Sequence, residues 1–254
     1  MRSGRLRASL IAAACLLLLA SCAARKEHLL PEPEPFSGAV TTEVLRQSVG
    51  LREIRTLKAL ADVKVTRNGE HAGSFTGVLG YRVPGDLRLS LFGPFGLTVF
   101  ELFLSPELFQ LSLPTKNTLY EWPSPAVSLA TPADDRFRYT MENSGDFYVL
   151  HAYAGADGGA PVADYVFDRT FLLNRRIVIY RDGKEAAKVD FAHFNGRVPD
   201  LTTISFGRDS GMEIVMREPE LDTEIPAEYF TPIERGDKRV LPFQDLLRRF
   251  DPSR

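Results

Sequence analysis

Leu87-Arg88-Leu89-Ser90-Leu91-Phe92, then Gly93-Pro94-Phe95-Gly96, then Leu97-Thr98-Val99-Phe100-Glu101-Leu102-Phe103-Leu104 is the stretch that decides the fold. Apolar side chains recur at every second position on either side of a Gly/Pro turn, the period of a pleated strand rather than of a helix. Two strands joined this tightly are antiparallel neighbours. The same period runs outward in both directions. Upstream, Leu57 to Arg67 ends in Asn68-Gly69, a hairpin signal, and Ser74 to Val83 returns to Pro84-Gly85. Downstream, Phe109, Leu111 and Leu113 alternate, and Leu119-Tyr120-Glu121-Trp122 forms another short strand. Six meandering strands are therefore expected between residues 57 and 122.

Residues 123–144 interrupt the pattern with Pro123, Pro125 and Pro132 and are expected to form a loop with one or two helical turns at most. Strands resume at Asp146–Leu150, Tyr165–Asp168 and Arg175–Tyr180. Val189 with Phe191, Ile204 with Phe206, and Met212, Ile214 and Met216 mark three more. A sheet so wide curls rather than staying flat. The expected fold is mainly β, a half-open antiparallel β-barrel of about eleven strands with an N-terminal helix and a C-terminal helix. The first helix starts at an N-cap, Thr41 or Thr42, and buries Val44, Leu45, Ser48 and Val49. In the second, Phe243, Leu246, Leu247 and Phe250 fall on one face, with Arg248 and Arg249 on the polar side.

The chain begins with Arg2, Arg5 and Arg7 ahead of an apolar run, Leu10 to Ala20, that is a signal-type segment too short to span a bilayer. The run closes on Leu19-Ala20-Ser21-Cys22, which resembles the bacterial lipobox. That resemblance implies cleavage before Cys22 and acylation of Cys22 as a lipid anchor; Ala23 after it implies the outer membrane, facing the periplasm. An ordinary signal with a chance cysteine, or an uncleaved anchor, are the other readings of the same residues. Pro31-Glu32-Pro33-Glu34-Pro35 favours an extended, solvated spacer. The chain thus divides into a signal peptide (1–21), lipidated Cys22 and linker (22–35), a barrel domain (36–233), and a C-terminal helix and tail (234–254).

Composition excludes several classes. Of 254 residues 44% are hydrophobic and 25% charged, with a net charge of −2, so the chain has the make-up of a globular protein and no nucleic-acid partner is expected. Its two cysteines are Cys15, in the segment to be removed, and Cys22, so neither a disulfide nor a thiolate metal site is expected. His28, His71, His151 and His193 show no metal-ligand spacing, and Asp190 with His193 read as ordinary strand residues. No catalytic residue, metal or cofactor is expected, and the chain is read as a non-enzyme.

Apolar abundance carries more information. Val63/Val65, Leu87/Leu89/Leu91, Phe100/Leu102, Phe109/Leu111, Ile177/Ile179 and Ile204/Phe206 are the candidates to line a concave face, with plain core packing as the alternative. A barrel of more than about eight strands is wider than its own side chains fill, which favours a cavity. In the turn Gly93-Pro94-Phe95-Gly96, Phe95 occupies a place where a structural hairpin carries a polar residue. Its ring either protrudes or folds back on the rim.

With lipobox, early helix and meander together, the chain resembles the LolA/LolB superfamily, in particular its anchored LolB-type outer-membrane branch. The residues that carry the likeness are the helix near 41–50, Leu87 to Leu97, Tyr165-Val166-Phe167-Asp168, Ile225-Pro226 and Phe230-Thr231-Pro232; it covers about residues 41–233. The resemblance implies a hydrophobic cavity under a helical lid that receives an acylated lipoprotein or lipid ligand. It also implies a membrane-contact loop at Phe95 and Leu97, and a periplasmic carrier protein as a partner. The mid-chain lid helices of that family have no counterpart in 123–144. A docking module in an envelope complex is the alternative use of the same fold.

Overall fold

The computed structural model describes residues 30–49, 54–83, 85–123, 137–155, 159–207, 209–243 and 245–246. The signal segment, Cys22 and most of the C-terminal helix expectation lie outside them. Among the described residues one helix, α1 (Thr42–Ser48), precedes a single sheet. The first run of strands is β1 (Thr56–Arg67), β2 (Glu70–Arg82), β3 (Asp86–Phe92), β4 (Thr98–Leu104), β5 (Leu108–Leu113) and β6 (Thr118–Pro123). The second is β7 (Phe137–Ser144), β8 (Phe147–Ala154), β9 (Ala163–Asp168), β10 (Asn174–Arg181), β11 (Lys184–Asn195), β12 (Val198–Phe206) and β13 (Ser210–Leu221), followed by β14 (Arg239–Pro242).

Turn chemistry sets this meander. Asn68 and Gly69 take φ of 52° and 77°, and Asp182 and Gly183 take 53° and 72°. Both pairs adopt the left-handed conformation that lets a two-residue loop follow the strand twist. The two runs join where β1 pairs antiparallel with β13, giving one fourteen-stranded sheet in the order β14-β6-β5-β4-β3-β2-β1-β13-β12-β11-β10-β9-β8-β7. Its edges, β14 and β7, do not pair with each other among the described residues, so the sheet curls but stays open.

The two faces differ in chemistry. On the inner face α1 is capped by the Thr41 hydroxyl, which accepts from the Val44 amide at 3.2 Å. The helix buries Leu45 and Val49 completely against Leu150, Tyr165, Phe167 and Ile177. The outer face carries cross-strand ion pairs, Lys64 with Glu213 at 3.1 Å and Arg217 with Asp62 at 2.6 Å. Residues 225–233 cross the outer face as a strap. Arg88 donates to the carbonyls of Tyr229 and Thr231, both at 3.1 Å, and pairs with Glu101 at 2.9 Å. Gln110 exchanges two hydrogen bonds with the Ile233 backbone. The Tyr229 ring lies over Gly80, where a Cβ would meet it at 2.4 Å, so close approach requires glycine there.

Three sequence expectations are corrected. Among the described residues the sheet has fourteen strands rather than about eleven. Part of the expected 123–144 loop is strand β7, in which Tyr139 faces inward, opposite Ala152, while Arg138 and Thr140 face outward; nearby prolines obscured that alternation. At the C-terminus the first element is not helix but β14, which pairs in parallel with β6 and breaks the all-antiparallel rule. Four residues are too few to give a periodic signal. Phe243, Asp245 and Leu246 are helical, and the rest of that expected helix lies outside the described residues. Ahead of α1, Leu30 is buried and its amide donates to Asn195 Oδ1 at 2.7 Å, so the chain already touches the sheet there.

Candidate functional site: the apolar inner face

Register places all thirteen candidate lining residues on the inner face. Leu79, Leu89, Leu102, Leu111 and Tyr120 lie opposite one another in turn across β2 to β6. Val65, Met212, Ile204, Val189 and Ile177 continue the face across β1 and β13 to β10. Val63 pairs with Ile214, Phe100 with Leu91, Leu87 with Leu104, Phe109 with Leu104, Ile179 with Ala187, and Phe206 with Ser210.

Burial divides these residues. Val63, Leu89, Leu91, Leu111 and Ile177 are buried, and all but Leu111 belong to core clusters with Ala61, Ile214, Leu150 or Phe167, so they do the work of a core. Val65, Leu87, Phe100, Leu102, Phe109, Ile179, Ile204 and Phe206 are half-buried. The middle of the inner face is therefore apolar but incompletely covered, flanked on the β8–β10 side by α1. Phe75, Leu79, Phe191 and Met212 share this surface although they were not among the candidate lining residues. Phe75 stands between Gly73 and Gly77, where few apolar neighbours mark the period; its register opposite Val63 is the signal that finds it. Burial, with Tyr139 nearby, pushes the Tyr165 phenol up, so this inner-face hydroxyl stays neutral.

Phe95 sits in a short 3-10 turn, Pro94–Gly96, at φ 63°, and is 99% exposed; Leu97 is 67% exposed. The ring thus projects instead of folding back on the rim. On the outer face His151 Nδ1 lies 2.7 Å from Asp164, whose other oxygen accepts from Tyr180 at 2.8 Å. Burial and the Asp164 hydrogen bond push the Tyr180 pKa up to about 12. Asp190 pairs with Arg176 and Lys188. Among the described residues no cluster of three His, Cys, Asp or Glu side chains is placed to hold a metal ion, and no helix is long and apolar enough to cross a membrane.

Fold and inner face together define a class: an open, curled β-sheet with a helix seated on its apolar concave side. Solved structures share it. A LolA superfamily protein from Nitrosomonas europaea matches over 76% of this chain and 99% of its own, at 10% identity and a TM-score of 0.55. A putative outer membrane lipoprotein-sorting protein domain from Vibrio parahaemolyticus matches over 82% and 95%, at 11% identity and a TM-score of 0.52. A DUF1329 family protein from Desulfovibrio piger matches over 75% and 94%, at 13% identity and a TM-score of 0.54. No protein-family profile matches the sequence, and no curated protein is significantly similar to it. The chain thus shares the LolA-like fold at low sequence identity.

Proposed function

We propose that this protein is an envelope lipoprotein of the LolB-type branch, anchored through Cys22 to the outer membrane, that holds the acyl chains of a lipoprotein or lipid on its inner face without bond chemistry. The observation that carries this reading is the continuous apolar inner face whose central residues, Phe75, Phe100, Leu102, Ile204 and Met212, remain half-buried in an open sheet. Apolar surface left beside water gains roughly 25 cal/mol per Å² when an acyl chain covers it. The likeness to the putative outer membrane lipoprotein-sorting protein domain from Vibrio parahaemolyticus supports the same ligand class. Phe95, fully exposed beside Leu97, touches the acceptor bilayer, and a periplasmic carrier protein is the donor. Transfer is then a downhill exchange of one apolar environment for another. Native mass spectrometry of the protein purified from its own envelope tests the reading. A bound acylated ligand, lost when Leu102 and Ile204 are both changed to Glu, is expected; an empty wild-type protein would overturn it.

A further inference from the structure

We infer that the slot between Phe109 and Trp122 is a ligand subsite of the inner face, filled in the ligand-free protein by the chain's own Phe243. This rests on the acyl-binding reading above and adds where the ligand ends and what it displaces. Phe109 and Trp122 are cross-strand neighbours at the β5–β6 end of the sheet, on the same face as Leu102 and Leu111. The Phe243 ring centroid lies 4.6 Å from that of Phe109, edge-on at 60°, and 5.6 Å from that of Trp122, stacked at 10°. Such contacts are favourable arrangements of aromatic rings, and all three rings are still half-buried.

The element that delivers Phe243 is weakly held. β14 pairs with β6 through four residues in parallel, at the sheet edge, with Val240 41% exposed. Pro242, its last residue, has no amide to donate. Short parallel edge pairing with little burial belongs to the low end of local stability. An acyl chain reaching this end of the face replaces the Phe243 ring with apolar contact of the same kind, and the C-terminal segment swings off. The ligand and the protein's own tail therefore compete for one slot.

The chain contains a single tryptophan, so emission from Trp122 reports the slot directly. The test is a titration of the full chain carrying Cys22→Ser with a palmitoylated Cys-Ser-Lys-Lys peptide, affinity being measured by isothermal titration calorimetry and the slot by Trp122 emission, compared with Phe243→Ala and with a truncation after Pro242. Far-UV circular dichroism establishes that each variant is folded. The expected result is a saturable change of Trp122 emission, with both variants binding about tenfold tighter, because apparent affinity falls in proportion to the fraction of molecules whose slot is open. Equal affinity in all three proteins with no change of Trp122 emission would overturn the subsite while leaving the inner face as the binding site. No binding to any of the three would overturn both.

Discussion

Phe95 combines two unfavourable features at one position. A residue with a Cβ held at φ 63° is strained by roughly 1–2 kcal/mol, and its ring is 99% exposed. Gly96 beside it takes φ 72° at no such penalty. Strain and exposed apolar area in the same side chain have a physical rationale when a second apolar phase meets the ring. Phe95→Gly is therefore expected to leave the unfolding free energy unchanged or raise it by up to about 1 kcal/mol in urea denaturation. It is also expected to slow delivery of a fluorescent acylated peptide to liposomes. Delivery at the wild-type rate would show that the ring serves no membrane contact. The residue stood out in the sequence because it replaced a polar turn former; its projection did not, since sequence pattern leaves a turn side chain free to point either way.

At the scale of elements, what was legible followed period and turn chemistry. β1 to β6, α1 with its Thr41 cap, and most of the second run appear where alternation and Asn-Gly or Asp-Gly pairs placed them. β7 was missed because its alternation adjoins a proline-rich stretch, and β14 because a four-residue parallel edge is defined by its partner rather than by its own sequence. The strap over the outer face was equally invisible, since Arg88 and Gln110 read as the polar side of ordinary strands. The tail between strap and β14 is pinned to β6 by Glu121, which accepts from Arg235 at 2.8 Å and from Gln110 at 2.8 Å. Burial pulls the Glu121 carboxyl up, but the Arg235 and Gln110 hydrogen bonds outweigh it and hold the pKa below its ordinary 4.5. A lowered folded-state pKa means that this contribution is present above 4.5 and is lost as pH falls through the folded value. Arg235 is largely exposed, so the contribution is about 0.5–1 kcal/mol. Urea unfolding at neutral pH and again well below 4.5 should show a smaller acid-induced loss in Glu121→Gln than in the wild type. Identical losses would mean that the pair does not hold the tail.

For the whole molecule, the sheet is open because, among the described residues, fourteen twisted strands curl without their two edges meeting. Alternation put all thirteen candidate residues on one face, yet it could not say which are core and which are available. That distinction depends on α1 and on neighbouring strands: Ile177 disappears under the helix while Leu102 does not. The proposed function requires that the available part of this face, and not the charged outer face, hold the acyl chain. Its most direct test is site-specific photocrosslinking, with a benzophenone amino acid placed at inner-face Leu102 or Ile204, or at their outward-facing chain neighbours Glu101 or Thr203, in the presence of a radiolabelled palmitoylated peptide. Labelled adducts are expected from Leu102 and Ile204 with little from Glu101 and Thr203; adducts of equal yield from both faces, or none from the inner positions, would overturn the inner face as the acyl-binding surface.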